Sequence, residues 1–312
     1  MRIHNKSIKF VNVVSVVLAG TTSLVLCGCF TGIEHAGKIK LSKEDRIEVL
    51  RQSDEESLLS DIKGTTANTW KTGKKFIVID NDIYRIFEQG RGLKSGEALY
   101  FKSCRTRLSP SGDPRISVIF TDSIGNIYTF HGSHSGTEHI ESTELPMMVD
   151  SDLVDILRLR LSGQKVWTET ALWLDSRDKP LRGLKYAPVT ITNITPGTMS
   201  FPYKVSFKTE TGAIGAVYMT YSGETSSSRP FHHLFSMTDP RLKYKRITDD
   251  IWRQIQHGIV SIGMTKEECR LSLGTPAETD TSHDYSKIKE IWIYPDGKWL
   301  KFEDGLLTDF RK

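Results

Sequence analysis

Histidines are the residues whose spacing first suggests chemistry, because three of them fall in the short segment HGSHSGTEH, residues 131–139. Imidazole nitrogens are common zinc ligands, so such a cluster could form a metal site. A later segment repeats this one and carries Tyr218 and Tyr221 where the first copy has His131 and His134. That exchange is typical of aromatic side chains on the surface of a hairpin. We therefore predict no metal site.

Two other short patterns approach catalytic or cofactor-binding motifs without meeting their requirements. GSHSG has the outline of a nucleophile elbow, but its central residue is His134 and not a nucleophilic serine. GRGLKSG, residues 90–96, lacks the glycine spacing of a dinucleotide-binding loop and is expected to be a turn. The carboxylates form no motif. The sequence thus predicts no catalytic residue and no cofactor, and we expect a protein that is not an enzyme.

Cysteine usage indicates the cell envelope. Two of the four cysteines, Cys27 and Cys29, end an apolar stretch that begins at Phe10 and follows a basic segment. A basic segment followed by an apolar one is the layout of a secretion signal. The other two, Cys104 and Cys269, are expected to be buried free thiols, with an oxidised pair as the alternative.

The end of the apolar stretch resembles the lipobox of bacterial lipoproteins, in which a small residue precedes an invariant cysteine. Gly28 precedes Cys29, whereas the bulky Leu26 precedes Cys27. The resemblance implies a signal peptide over residues 1–28 and cleavage before Cys29. It also implies acyl chains on the Cys29 thiol, which would bind the chain to membrane lipid.

The residues after Cys29 bear on the membrane and on the reach of the anchor. Phe30 is not the aspartate that commonly retains such lipoproteins in the inner membrane, so an outer-membrane, periplasm-facing location is expected. Residues 29–41 would form a lipidated tether that spans at most about 40 Å. A stable attachment needs more than one acyl chain, and lipoproteins of this kind carry three.

The basic charge balance disappears with the signal peptide. The whole chain has 42 basic and 38 acidic residues, a formal net charge of +4. Arg2, Lys6 and Lys9 lie in the signal, so only 39 basic residues remain against the same 38 acidic ones. A chain with nearly equal numbers of basic and acidic residues has no excess positive charge to bind a polyanion, so no nucleic acid is expected as a partner.

An internal repeat organises the middle of the chain. Residues 116–136 align with residues 203–223 at a constant offset of 87. Each copy alternates apolar and polar residues around a turn that contains glycine, which predicts a β-hairpin in each.

A helix is expected before each hairpin, over residues 42–62 in the first copy and 151–161 in the second, with Ser151 as a natural N-cap. We therefore predict two tandem modules, each a helix plus a small antiparallel sheet, over 42–140 and 151–230. Short strands favour a half-open barrel of the SH3-like type.

The C-terminal segment has the clearest local patterns. Thr265, with Glu268 three residues later, forms a capping box and predicts the start of a helix, and an earlier helix is expected over 248–258. Three short strands are expected within 290–310, separated by Pro-Asp-Gly and Glu-Asp-Gly turns.

Alternation assigns the side chains of these strands to two faces. The expected core positions are Ile291, Ile293, Leu300 and Phe302. The expected other face carries Trp292, Tyr294 and Trp299. These three aromatic residues would form a partner-binding patch or, as the alternative, cover the helices of their own domain.

This segment resembles the SmpA/OmlA (BamE-type) domain of outer-membrane assembly lipoproteins. The stretches that carry the resemblance are IGMTKEE (262–268), LGTP (273–276), WIY (292–294) and LKFEDGL (300–306). The resemblance implies a helix–helix–three-strand domain over 245–312. In those lipoproteins the domain follows the lipid closely, whereas here the two modules intervene.

The sequence as a whole predicts a strand-rich α+β protein. We expect an outer-membrane-anchored periplasmic lipoprotein that acts as a non-enzymatic scaffold or binding protein, with an envelope protein as its partner. Outer-membrane protein assembly or envelope maintenance is the expected role. The alternative is a ligand-binding or hydrolytic lipoprotein with a cleft in the middle repeats.

Overall fold

Antiparallel sheets make up most of the chain. The computed structural model describes residues 58–108, 112–132, 140–220, 228–284 and 287–311. All of these belong to one unit, Ser42–Lys312. The predicted signal peptide, the predicted tether with Cys29 and most of the helix predicted over 42–62 lie outside the described residues. The expected fold class, α+β with much β structure, is confirmed.

Six strands form the first sheet. They are β1 (Lys75–Val78), β2 (Phe87–Glu88), β3 (Ala98–Leu108), β4 (Pro114–Thr121), β5 (Ile127–Gly132) and β6 (Met148–Asp150). Their spatial order is β2-β5-β4-β3-β1-β6. Helix α1 (Ser151–Leu161) follows β6 directly and has the bounds predicted for it.

Seven strands form the second sheet. They are β7 (Lys165–Thr168), β8 (Leu172–Leu174), β9 (Pro180–Arg182), β10 (Pro188–Pro196), β11 (Tyr203–Thr209), β12 (Ile214–Met219) and β13 (Phe235–Ser236). Their order is β13-β7-β10-β11-β12-β8-β9. A one-turn helix, α2 (Phe231–Leu234), precedes β13.

The two sheets share one plan, as the sequence repeat predicts. The order β2-β5-β4-β3-β1-β6 in the first corresponds to β8-β12-β11-β10-β7-β13 in the second. A β-bulge interrupts the long central strand at the equivalent place, after Phe101 in β3 and after Ile191 in β10. One loop hydrogen bond also recurs at 2.8 Å, from Gly73 N to Phe101 O and from Gly163 N to Ile191 O. The two sheets therefore share one arrangement of strands, bulge and loop hydrogen bond.

Each sheet includes a short strand that the sequence alignment left out. Met148 of β6 opposes Val78 of β1, and Phe235 of β13 opposes Thr168 of β7, which are equivalent pairs. The sheets therefore extend beyond residues 140 and 230, where the predicted modules end.

Helix α1 lies between the two sheets. Its apolar side chains share one core with Val149 of β6 and Ile191 of β10. Its N-cap is Asp150 and not Ser151, because the Asp150 carboxylate accepts a hydrogen bond from Asp152 N at 3.0 Å. Ser151 is the first residue of the helix itself.

The C-terminal part packs two helices on a four-stranded antiparallel sheet. Its helices are α3 (Asp249–Gln256) and α4 (Lys266–Leu273), and its strands are β14 (Glu278–Asp284), β15 (Lys287–Ile293), β16 (Trp299–Glu303) and β17 (Leu306–Arg311), paired in chain order. The predicted capping box is present, with Thr265 and Glu268 each bonding the other's backbone N–H. The three predicted strands are β15 to β17, and β14 was not predicted.

Candidate partner-binding site

The structure reverses the faces that alternation assigns to β15. Trp292 is 0 % exposed and Tyr294 is 6 % exposed, so the partner-binding patch is wrong for these two residues and the alternative, that they cover the helices of their own domain, is the one found. Trp292 opposes Leu300 of β16, and both belong to the core between the sheet and the helices. Its ring lies 4.7 Å from that of Phe302, and the Arg270 guanidinium of α4 lies 5.0 Å over it.

Hydrogen bonds satisfy the polar atoms of this core. The Trp292 indole N–H donates to Glu290, which also pairs with the Lys266 ammonium. Burial alone would raise the pKa of Glu290, but the hydrogen bonds from these two donors hold it below its ordinary value. The Tyr294 hydroxyl donates to Gly274 O at 3.1 Å, and burial raises its pKa to about 12.

The opposite face of the sheet carries exposed apolar side chains. Ile291 is 38 % exposed and Ile293 is 41 % exposed, so their predicted core positions are wrong, whereas Leu300 and Phe302 are buried as predicted. Trp299 is half-buried and directly opposes Ile293, which places it on the outer face. We call Ile291, Ile293 and Trp299 the outer patch.

Charged side chains surround the outer patch. Directly opposing residues of antiparallel strands share a face, so Glu278 and Asp280 of β14 lie beside the two isoleucines. Lys301 of β16 and Arg311 of β17 flank the patch on its other side. An open sheet face normally carries polar residues. An apolar centre with a charged rim is instead the anatomy of a protein interface.

Cys104 and Cys269 are free; Cys269 is buried as predicted, whereas Cys104 is only half-buried, so its predicted burial is wrong. Burial raises the pKa of Cys104 to about 11 and that of Cys269 to about 12. Both side chains are therefore protonated near neutral pH, and a protonated thiol is a poor nucleophile.

The histidine segment is partly described. His131 lies in β5, with Nδ1 3.0 Å from Ser117 Oγ and Nε2 3.0 Å from Glu88 Oε1. His134 and His139 lie outside the described residues. Among the residues that are described, no three His, Cys, Asp or Glu side chains are grouped so that they could hold a metal ion.

A half-buried lysine joins the second sheet to the C-terminal helices. Lys185 Nζ donates to Leu271 O at 2.6 Å, in the last turn of α4, where backbone carbonyls have no helical partner. The neighbouring Tyr186 ring stacks on Trp252 of α3 at 5.4 Å. Burial lowers the pKa of Lys185. These contacts give the lysine a structural role.

Comparison with known proteins found no relative of this chain. The sequence matches no protein-family model, and neither a curated protein nor a solved structure was found to be similar to it. In the described part of the chain, no helix is long and apolar enough to cross a membrane.

Proposed function

We propose that the chain is an outer-membrane lipoprotein, anchored through acylated Cys29 and facing the periplasm, that binds an envelope protein through the outer patch. In this role it is a non-enzymatic scaffold. The observation that carries the proposal is the apolar centre of the outer patch, because exposed apolar clusters within a polar rim mark protein contacts.

The finer fold assignments belong to the same proposal. Two helices followed by an antiparallel sheet over residues 249–311, with the capping box at Thr265, support a BamE-like domain. Such a domain supports a part in outer-membrane protein assembly or envelope maintenance. The additional strand β14 departs from the three-strand pattern. The bulged, short antiparallel strands of the repeats support SH3-like half-open barrels.

The rim defines the kind of partner surface that fits. Glu278 and Asp280 make the β14 side acidic, while Lys301 and Arg311 place positive charge on the other side. A complementary partner has an apolar centre with basic residues facing β14. Rim charges of this kind orient the encounter, and the buried centre supplies most of the affinity.

The Ile291→Thr, Ile293→Thr double variant is expected to keep its fold and lose its partner. Threonine is β-branched like isoleucine, so the strand is retained while the apolar surface is removed. With a photo-crosslinking residue at Lys301 in native membranes, the adduct should fall about tenfold or more, since interface residues of this type can each contribute about 2 kcal/mol.

The matched control changes two exposed isoleucines of the repeats, Ile124→Thr and Ile214→Thr. This variant should keep the adduct at the wild-type level. Circular dichroism on both purified variants checks that they fold. A folded outer-patch variant with an undiminished adduct would contradict the proposed interface.

The lipid anchor has its own test. Cys29→Ala is expected to abolish labelling by an alkyne fatty acid and to block lipoprotein-type cleavage, because Cys29 is the thiol preceded by a small residue. Cys27→Ala should be labelled and processed normally. Loss of labelling in Cys27→Ala alone would show that the assignment of the anchor is wrong.

Ligand binding in the middle repeats is the second candidate function. The observation that favours it is a cavity of about 290 Å³ lined by residues of both repeats. Clefts of this size between structural units are common ligand sites.

A further inference from the structure

The cavity lies where the two repeats meet, and we call it the junction cavity. One wall is the segment 142–150, which follows the hairpin of the first repeat, includes β6 and leads into α1. The facing wall is the turn between β10 and β11 of the second repeat, with Met199 and Pro202. The cavity is separate from the outer patch, which belongs to the C-terminal sheet.

Apolar side chains dominate the lining. Three of the chain's seven methionines are among them: Met147, Met148 and Met199. Leu145, Pro146 and Val149 also lie in the lining, although Met148 and Val149, adjacent in β6, point into different cores. Methionine side chains are flexible and polarisable, so they adapt to an apolar occupant of variable shape.

The repeat plan does not by itself require this opening. Residues 144–147 correspond, at the offset of 87, to residues 231–234 of the second repeat. There the chain forms α2 and buries Phe231 and Leu234 in the core. At the two positions that correspond to Phe231 and Leu234, the first repeat has exposed Glu144 and half-buried Met147.

Backbone geometry also distinguishes this segment. Met147 has φ of 60°, in the left-handed region that non-glycine residues rarely adopt. Its carbonyl accepts a hydrogen bond from Ile79 N at 2.9 Å, which holds the strained residue against the first sheet. Strained residues of this kind concentrate at ligand-binding positions.

We infer that the junction cavity binds an unbranched aliphatic chain with a head group that is not anionic. The cavity, about 290 Å³, has room for a short aliphatic chain. Glu144 is exposed at the edge of the lining, and its carboxylate repels an anionic head group. This inference rests on the second candidate function, ligand binding, and names the class of its ligand.

The test uses residues 29–312 with Cys29→Ala, produced without the signal segment and purified without detergent, with carbon-13-labelled methionine methyl groups. Titration with 1-decanol should shift the methyl signals of Met147, Met148 and Met199 in a saturable way. Met264, which is buried in the C-terminal core, should not move. Shifts spread evenly over all methionines, or an absence of saturation, would overturn the inference.

Variants and analogues test the site and the head group. Met199→Trp should fill the mouth of the cavity and weaken decanol binding about tenfold or more; Met199 is exposed, so its replacement leaves the core intact. Ile214→Trp, an equally exposed position outside the lining, should bind like the parent. Wild-type affinity in Met199→Trp would overturn the assignment of the site.

A separate comparison of ligands tests the prediction about the head group. Decanoate should bind more weakly than decanol, and Glu144→Gln should reduce that difference; equal binding of the two by the parent would overturn the exclusion of an anionic head group. Dioctanoyl phosphatidylcholine tests whether the bound chain belongs to a lipid. If it does, this lipid shifts the same methionine methyl signals as decanol; if the ligand is a free aliphatic molecule, only decanol shifts them. The Ile291→Thr, Ile293→Thr variant should keep the decanol shifts, so this inference and the partner-binding proposal fail separately.

Discussion

Replacing Lys74 with methionine is expected to lower the free energy of unfolding by about 3–5 kcal/mol, because it leaves a buried carboxylate without its counter-charge. Lys74 Nζ lies 2.9 Å from both carboxylate oxygens of Asp150 and 2.6 Å from Asp152. The side chains of Lys74 and Asp150 are 9 % and 1 % exposed. Urea unfolding of the wild type and the variant measures the loss.

The position of this ion pair explains its importance. Lys74 precedes β1 of the first repeat, and Asp150 caps α1, which belongs to the second repeat. The corresponding residues one repeat later are Gln164 and Met237, which cannot form an ion pair. The pair therefore fixes the junction between the repeats and is not a feature of the repeat itself.

Two matched variants separate charge from packing. Lys74→Met combined with Asp150→Asn should recover much of the lost stability, because asparagine caps a helix as well as aspartate and carries no charge. Lys165→Met removes an exposed partner of Glu210 and should cost less than about 1 kcal/mol. A cost for Lys74→Met no larger than for Lys165→Met would contradict the buried ion pair.

The pH dependence should follow the same pair. Burial alone would lower the pKa of Lys74, but its hydrogen bonds to Asp152 and Asp150 raise it above its ordinary value of 10.5. A pKa raised in the folded state stabilises the fold below the ordinary value, and this stabilisation is lost as the pH rises through the folded-state pKa. The difference between the wild type and Lys74→Met should therefore shrink above pH 10.5.

Local patterns predict the elements of this fold well. The repeat, both hairpins, the helix over 151–161 and the capping box at Thr265 follow from residues close together in sequence. Strand β14 was missed because its residues, ETDTSHD, have no apolar alternation. Its place in the sheet is fixed by backbone pairing with β15. Backbone pairing leaves no pattern in the types of the side chains.

Long-range pairing is what the sequence does not predict. β6 and β13 are three and two residues long and join their sheets through contacts with residues far away along the chain. Lys74 and Asp150 are 76 positions apart. No local periodicity reports such contacts, because each depends on how the completed sheet brings distant segments together.

The predicted site was wrong because the wrong set of β15 side chains was assigned to the buried face. EIWIY in β15 is apolar at four consecutive positions, so alternation separates two sets of side chains without showing which set is buried. In the structure the large ring of Trp292 is on the buried face, where it fills the space between Phe302 and α4. The smaller isoleucines are left on the open side.

Trp292→Ala is expected to lower the free energy of unfolding by about 3–5 kcal/mol, the range for truncating a buried tryptophan. The substitution removes the contact with Phe302 and the cation–π contact with Arg270, and it leaves Glu290 without the indole donor. Trp292→Phe keeps a ring in the core and should lose less, about 1–3 kcal/mol, mainly for the missing hydrogen bond. Urea unfolding measures both variants.

The adjacent Ile293 provides the control, because it lies in the same strand as Trp292 but on the opposite face of the sheet. Ile293→Ala should change the free energy of unfolding by less than about 1 kcal/mol, as expected for an exposed side chain. If instead Ile293→Ala costs more than Trp292→Ala, the faces of β15 are reversed. The isoleucines would then form the core, Trp292 and Tyr294 would face solvent, and the outer patch could not be the partner-binding surface.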